Sequence, residues 1–372
     1  MIHCNLPHRG EGVKAKNEKW RTRAHIARTR EGEWFVHPTP PLFPLHPSAH
    51  LHRLSHRLFA ARLTKICPVS NGRKTIRHDI FFSKKNDYIR RIIHFPASPT
   101  MEKKVILLTG ASSGIGYQTA EYLAKQGHRV YGAARRVELI EALAPVGVKA
   151  LRLDVTSDES IEAAVAEVMR AEGRIDVLVN NAGYGSYGAV EDVPLDEARR
   201  QFEVNLFGLA RLVQCVLPHM RRQQSGTIIN ISSMGGHFTA YFGAWYHATK
   251  YALEAFSDAL RMETRPFGIR VVLIEPGAIK TPWGDIAADH LEESARDGAY
   301  APQANAAAKA LRRLYRSALL SQPTVIAKAI GRAVNARRPK TRYLVGFGAK
   351  PLVLLHTLLP TRWFDYLMTH VS

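Results

Sequence analysis

Residues 105–116 constrain this chain more than any other stretch. Val105-Ile106-Leu107-Leu108 is a short, continuous apolar run that reads as a buried strand. It enters Thr109-Gly110-Ala111-Ser112-Ser113-Gly114-Ile115-Gly116, and a helical pattern follows. Gly110 permits a tight turn, Gly114 lets backbone approach a phosphate, and Gly116 lets the helix pack closely on the strand. The helix start offers free N–H groups and a positive dipole end to a pyrophosphate. A glycine pattern alone is weak, and a plain Gly/Ser turn is the alternative, but here the strand–turn–helix context is met. Gly110, Ser112, Ser113, Gly114, Ile115 and Gly116 are therefore the first candidates for contact with a dinucleotide.

Downstream, strand and helix patterns alternate. Strands are expected at 104–109, 129–134, 149–153, 175–180, 226–232, 269–275 and 341–346. Helices are expected at 115–126, 137–143, 158–171, 196–222 and 245–265, with 303–336 helical in pieces. Continuously apolar strands separated by helices imply a parallel sheet covered on both faces. The expected architecture is α/β, a doubly wound Rossmann fold with a mainly parallel seven-stranded sheet.

The net charge of +20 suggests a polyanion as partner until its distribution is examined. Residues 1–100 hold 19 Lys+Arg against 6 Asp+Glu, with 10 of the 17 histidines and 9 of the 20 prolines. They show no sustained period, although Leu51–Ile66 suits a basic amphipathic helix, and most of the segment is expected to be disordered. Three readings stay open for it: an over-extended start with Met101 as initiator, a targeting peptide, or a basic arm for nucleic acid or membrane. The remaining +7 over 272 residues needs no polyanion, so nucleic acid is not an expected partner. The expected organisation is 1–100 as a basic, low-order segment, 101–346 as the catalytic domain and 347–372 as an apolar extension. Cys4, Cys67 and Cys215 are scattered, with no metal or disulfide pattern, which suits a reducing, cytoplasmic setting.

After the second strand stand Arg135 and Arg136. A carboxylate near this point would bond both ribose hydroxyls of NAD, whereas two guanidinium groups suit a 2′-phosphate. This favours NADP(H) over NAD(H), the alternative being a solvated pair at a helix start. Asp154 and Val155 follow the third strand, where the carboxylate can meet the adenine.

Thr109-Gly110-x-x-x-Gly114-x-Gly116, Asn180-Asn181-Ala182-Gly183, Tyr246-x-x-x-Lys250 and Pro276-Gly277 occur in this order. Together they resemble the short-chain dehydrogenase/reductase family, in its single-domain branch, over about 101–345. Tyr246 and Lys250 are four apart and share one helix face. An ammonium there favours phenolate and lowers the tyrosine pKa, making it an acid/base for a carbonyl or alcohol oxygen. The same lysine can reach the nicotinamide ribose. Ser233, favoured over its neighbour Ser232 by the family's spacing to the tyrosine, can bond the substrate oxygen. The resemblance further implies that Asn205 holds a water for proton relay to the lysine. It also places Asn181, Ala182, Gly183, Pro276, Gly277, Ile279 and Thr281 at the cofactor, with Thr281 bonding the nicotinamide amide. Tyr241 lies too far from Lys250 in sequence to be the catalytic tyrosine. No paired spacing makes His237 or His247 a metal ligand, and His247 is read as a neighbour of the active-site helix.

Met234, Gly235, Phe238, Tyr241, Phe242, Trp283, Tyr184 and Tyr187 form an expected apolar and aromatic pocket, suited to a lipophilic ketone, aldehyde or alcohol. Residues 282–300 lack a clear period and look like the family's variable substrate lid. Residues 184–210 and the C-terminal extension are similar to retinol- and steroid-dehydrogenase-like members. The apolar tail, Lys350 to Met368, can dock over the pocket, pair with another subunit or lie on a membrane surface. The resemblance implies a homodimer or homotetramer built on the 196–222 and 245–265 helices. The principal expectation is an NADP(H)-dependent oxidoreductase, and the alternative is a non-catalytic dinucleotide-binding protein that kept the fold.

Overall fold

A strand buried on both faces must be apolar at every position, and a parallel sheet clad in helices is made of such strands. In the computed structural model β3 (Val105–Thr109), β6 (Val177–Asn180) and β7 (Gly226–Ile231) are buried at every residue. The structure describes residues 102–370, together with the short strands β1 (His25–Arg28) and β2 (Trp34–His37). β1 and β2 pair antiparallel in a unit of their own. The rest of the N-terminal segment, including the expected disorder and the expected helix at Leu51–Ile66, lies outside the described residues.

The sheet is completed by β4 (Arg129–Ala134), β5 (Val148–Arg152), β8 (Ile269–Pro276) and β9 (Arg342–Val345). All seven strands are parallel, in the order β5-β4-β3-β6-β7-β8-β9. Strand order reverses beside β3, between β4 and β6, and this is where an open α/β sheet forms a ligand crevice. Alternate side chains of β3 feed two cores. Val105 and Leu107 meet α3 (Asp158–Glu172), α5 (Gly208–Gln223) and α6 (Ala244–Thr264) through Val168, Leu212 and Leu253. Ile106 and Leu108 share a core with α1 (Gly114–Lys125) and α9 (Pro323–Asn335), through Leu123, Ile326 and Ile330. Each such fully buried aliphatic side chain stabilises the fold by ~1.5–3 kcal/mol relative to exposure.

Two helical expectations need correction, and one segment read without a period is helical. The expected 137–143 helix is a single turn, α2 (Glu138–Glu141), followed by a 3₁₀ turn at Ala144–Val146. The expected 196–222 helix is interrupted. α4 (Leu195–Phe202) passes into a π turn at Glu203–Phe207 before α5 begins, and one extra residue per turn re-aims Asn205 without breaking the chain's path. Residues 282–300, which show no clear period in sequence, contain α7 (Trp283–Ala295). Its buried stripe is Gly284, Ala287, Ala288, Leu291 and Ala295, small residues whose helical spacing carries little hydrophobic signal. α8 (Ala301–Arg316) packs on α7 through Ala304 and Ala308. The C-terminal tail forms α10 (Ala349–Leu358) and α11 (Thr361–His370), with Phe364 buried. Among the described residues, no helix is long and apolar enough to cross a membrane.

Candidate active site

β3 delivers the chain to Gly110 at φ +68, a backbone conformation in which a side chain is strained. A Cβ there would also lie 2.8 Å from Asn181 Nδ2. The turn is fastened to the end of β6. Thr109 Oγ1 accepts from the backbone N–H of both Asn181 and Ala182, each at 3.0 Å. Asn181 Nδ2 donates to the carbonyls of Thr109 and Gly110 at 3.0 and 3.2 Å. Ser113, extended at φ −162, leads into α1 and makes no side-chain cap, leaving the helix start to another acceptor.

A cavity of about 1450 Å³ opens here. Gly110, Ser112, Ser113, Gly114 and Ile115 line one side of it. Gly116 does not, because it faces back, and a Cβ on it would collide with the Gly110 carbonyl oxygen. It contributes helix packing rather than ligand contact. Arg135, Arg136, Asp154 and Val155 line the next section. Both arginines are exposed, and neither pairs with a carboxylate among the described residues. Asp154 is partly engaged, its Oδ1 accepting from the N–H and hydroxyl of Thr156 at 3.0 and 2.8 Å. Asn181, Ala182, Gly183, Pro276, Gly277, Ile279 and Thr281 continue the lining. The uncapped helix start and the glycine cradle fit the phosphates of a dinucleotide, and two unpaired guanidinium groups stand beside them.

Ser232 and Ser233 follow β7 directly. The two are told apart by direction, since Ser232 turns toward Glu254 behind Gly236, whereas Ser233 faces Tyr246. Tyr246 and Lys250 project from α6 and line the same cavity. Lys250 Nζ donates to the Ile231 carbonyl at 3.0 Å and lies 5.8 Å from the Tyr246 ring centroid. Burial pushes the Tyr246 phenol up to about 12, with the Ser233 hydroxyl acting against it. This corrects the expectation that the lysine lowers the tyrosine. The ammonium is committed to Ile231, and burial brings Lys250 itself down to about 8, partly offset by Glu254 one turn on. Desolvation is the largest influence on both groups.

Asn205 is buried and does not line the cavity. Its Nδ2 donates to the Tyr184 carbonyl at 2.9 Å and to Thr249 Oγ1 at 3.2 Å, and its Oδ1 accepts from the Tyr184 N–H at 3.1 Å. The π turn thus ties α6 to the chain beyond Gly183.

Of the expected pocket residues, Met234, Gly235, Phe238, Tyr241, Trp283, Tyr184 and Tyr187 line the cavity. Phe242 does not; it is buried at φ +60 and packs in the cluster beneath α7 and α8. The Trp283 ring lies 5.1 Å from that of Tyr246 and 5.7 Å from that of Tyr315. Tyr315 was not anticipated, although Ala304, Ala308, Leu311 and Tyr315 share one face of α8. The tail's inner side, through Leu352, Leu355, Leu367 and Met368, closes the apolar end.

Behind Ser232, ligand atoms of His237, Glu254 and Glu275 lie within 4.8 Å of one another. The Arg342 guanidinium already stands there, with Nε 3.0 Å from Glu275 and Nη2 3.0 Å from Glu254. The group is a charge-compensated buried network.

A family model described as short chain dehydrogenase matches residues 104–291. A probable short-chain type dehydrogenase/reductase, VdlC, of Helicobacter pylori is 38% identical over 70% of this chain and 95% of its own. A 3-ketodihydrosphingosine reductase of Bacteroides thetaiotaomicron is 43% identical over 50% of this chain and 67% of its own. Among solved structures, a metagenomic short-chain oxidoreductase in complex with NADP is 27% identical, at TM-score 0.53 over 66% of this chain and 98% of its own. A short-chain dehydrogenase/reductase of Burkholderia phymatum in complex with NAD is 25% identical, at TM-score 0.61 over 72% of this chain and 96% of its own. The glycine turn, the parallel sheet and these likenesses agree: the chain belongs to the short-chain dehydrogenase/reductase family, oxidoreductases of CH–OH and C=O groups that use a nicotinamide dinucleotide.

Proposed function

We propose that this protein is an NADP(H)-dependent reductase or dehydrogenase of a lipophilic ketone, aldehyde or alcohol, with Tyr246 as acid/base. The convergence of Ser233, Tyr246 and Lys250 where the glycine-lined and apolar ends of one cavity meet carries the assignment. A bound nicotinamide supplies or accepts the hydride. The Tyr246 phenol, protonated at neutral pH, gives its proton to the carbonyl oxygen in reduction and becomes phenolate; in oxidation the phenolate takes the proton of the alcohol. The Ser233 hydroxyl donates to the same oxygen as charge develops on it. The Lys250 ammonium favours the phenolate left behind, and Asn205, bonded to Tyr184 and Thr249, holds the chain beside the lysine's helix in place. The unpaired Arg135 and Arg136 would hold a 2′-phosphate, and their having no carboxylate partner among the described residues supports NADP(H) over NAD(H).

The apolar end, walled by Leu291, Leu311, Leu314, Leu352 and Leu355, supports a lipophilic substrate, as does the name of the Bacteroides relative. We assign catalysis to 101–346 and closure of the apolar end to 347–372. Exposed Phe207, Tyr251 and Met262 on or beside α5 and α6 support a homodimer or homotetramer there. Lys350, Leu354 and Leu358 share one face of α10, and Arg362, Trp363 and Tyr366 lie on α11, all of them exposed. This apolar, basic outer face supports peripheral contact with an anionic bilayer. The scattered thiols suit a cytoplasmic setting.

The test is oxidation of NADPH and NADH by purified protein across slender and bulky hydrophobic carbonyls, with Tyr246→Phe as control. Turnover with NADPH and a loss of about 10³-fold in Tyr246→Phe is the expected result. Dinucleotide binding without turnover of any carbonyl or alcohol assigns the protein instead to non-catalytic sensing.

A further inference from the structure

His247 follows the catalytic tyrosine in sequence and has no part in the chemistry described above. It is 3% exposed, held between the backbones of Gly235 and Gly243. A Cβ on Gly235 would lie 2.6 Å from its Nδ1, and one on Gly243 would lie 2.5 Å from its Cδ2. Both glycines are therefore shaped to the imidazole.

Its two nitrogens have different partners. Nδ1 lies 2.9 Å from the Gly235 carbonyl oxygen, which can only accept, so Nδ1 carries the proton. Nε2 lies 3.0 Å from the Ala240 backbone nitrogen, which can only donate, so Nε2 is bare. One neutral tautomer thus ties down both ends of the loop that follows β7. Burial holds this imidazole below the ordinary histidine range, which keeps it neutral. The Tyr187 hydroxyl stands 3.4 Å from the same Nε2.

The loop is fastened at a telling place. Gly235, whose carbonyl takes the imidazole proton, donates its own N–H to Ser233 Oγ at 3.0 Å. One lone pair of that hydroxyl is thereby filled, and its proton and other lone pair are left to the Tyr246 side. We propose that His247 is a positioning residue, which through Gly235 orients the Ser233 hydroxyl toward the reacting oxygen. This rests on the reading of Ser233 and Tyr246 given above. In this role His247 acts through Gly235 rather than on the reacting atoms.

Three variants test it. His247→Asn keeps an N–H donor near the Nδ1 position, His247→Leu keeps neither bond, and Ser233→Ala removes the group being positioned. His247→Leu should lower kcat for carbonyl reduction about 30-fold, a fraction of the loss typical for an oriented donor, with the KM for NADPH unchanged. His247→Asn should recover most of that loss. In a Ser233→Ala background His247→Leu should change kcat less than about twofold, because groups acting as a unit are not additive. A full further loss in that background, or an Asn variant no better than Leu, overturns the proposal. Amide exchange at Gly235 reads the same link without activity. It should quicken about tenfold in His247→Leu and stay near wild type in His247→Asn. Unchanged exchange overturns the positioning role, whereas wild-type protein that turns over no carbonyl overturns only the assigned activity.

Discussion

Arg342 is the point at which the buried charge network is most exposed to perturbation. From β9 its guanidinium reaches Asp258 at 2.8 Å, Glu254 at 3.0 Å and Glu275 at 3.0 Å. Glu275 and Glu254 are only 2% and 8% exposed, so Arg342→Met leaves two carboxylates buried without their principal partner. Breaking a buried pair in this way costs ~3–5 kcal/mol. Because about a third of the Arg342 side chain meets water, the lower figure applies, ~3 kcal/mol. About 270 residues are described in this unit, and unfolding entropy of ~2.1 cal/mol/K per residue gives ~0.6 kcal/mol/K, hence a fall in Tm of about 5 °C. The sign with pH is set by burial, which already holds the Glu254 carboxyl above its ordinary range. A carboxyl whose pKa is raised on folding favours the folded state as it takes up its proton, so the deficit shrinks as pH falls through that raised pKa. His237, raised by its bond to Glu275, charges as pH falls and compensates the same carboxylates. Calorimetric melts of wild type and Arg342→Met at pH 8, 7, 6 and 5 measure this. A Tm within 1 °C of wild type at pH 8, or a deficit that widens on acidification, refutes the reasoning.

Arg135→Ala and Arg136→Ala should each raise the KM for NADPH about tenfold or more, while KM for NADH moves less than twofold; equal effects on both cofactors would remove the phosphate assignment. With Tyr246 at about 12 and Lys250 at about 8, both groups are protonated at pH 7, so the reduction rate should be flat below pH 8 and fall above it as Lys250 loses charge; a rate rising to pH 10 contradicts this. Trp283→Ala removes the ring 5.1 Å from Tyr246, and kcat/KM should shift toward ketones bulky next to the carbonyl by about tenfold, read as a ratio against a slender ketone. Leu358→Glu with Trp363→Glu should abolish pelleting with anionic vesicles while leaving turnover of a water-soluble carbonyl within about twofold; unchanged pelleting excludes α10 and α11 as the membrane contact.

What was legible in the sequence follows from what each signal measures. Apolar runs report burial; the five central strands are buried largely on both faces, and all seven, with the more exposed edge strands β5 and β9, stand within about two residues of the positions read from the sequence. Periodicity reports a face, not a path. It carried the 196–222 pattern straight through Glu203–Phe207, because a π turn keeps the apolar side inward while adding a residue. It also missed α7, whose buried side is mostly alanine and glycine, residues that fill a close helix contact without raising hydrophobicity. Motif spacing placed Tyr246 and Lys250 on one face, but spacing cannot weigh desolvation, and burial of both groups reverses the direction expected for the phenol. His247 shows the same limit most sharply. Its neighbours in sequence say only that it follows a tyrosine on a helix. Its two partners, Gly235 and Ala240, lie 12 and 7 residues away, on a loop that only the packed β7–α6 junction brings to both ring nitrogens. The residues proposed to carry the chemistry stand out in the sequence because each sits just after a strand or on a helix face. The residues that aim them do not, since aiming depends on which lone pair faces which donor, and that is fixed only by tertiary contact.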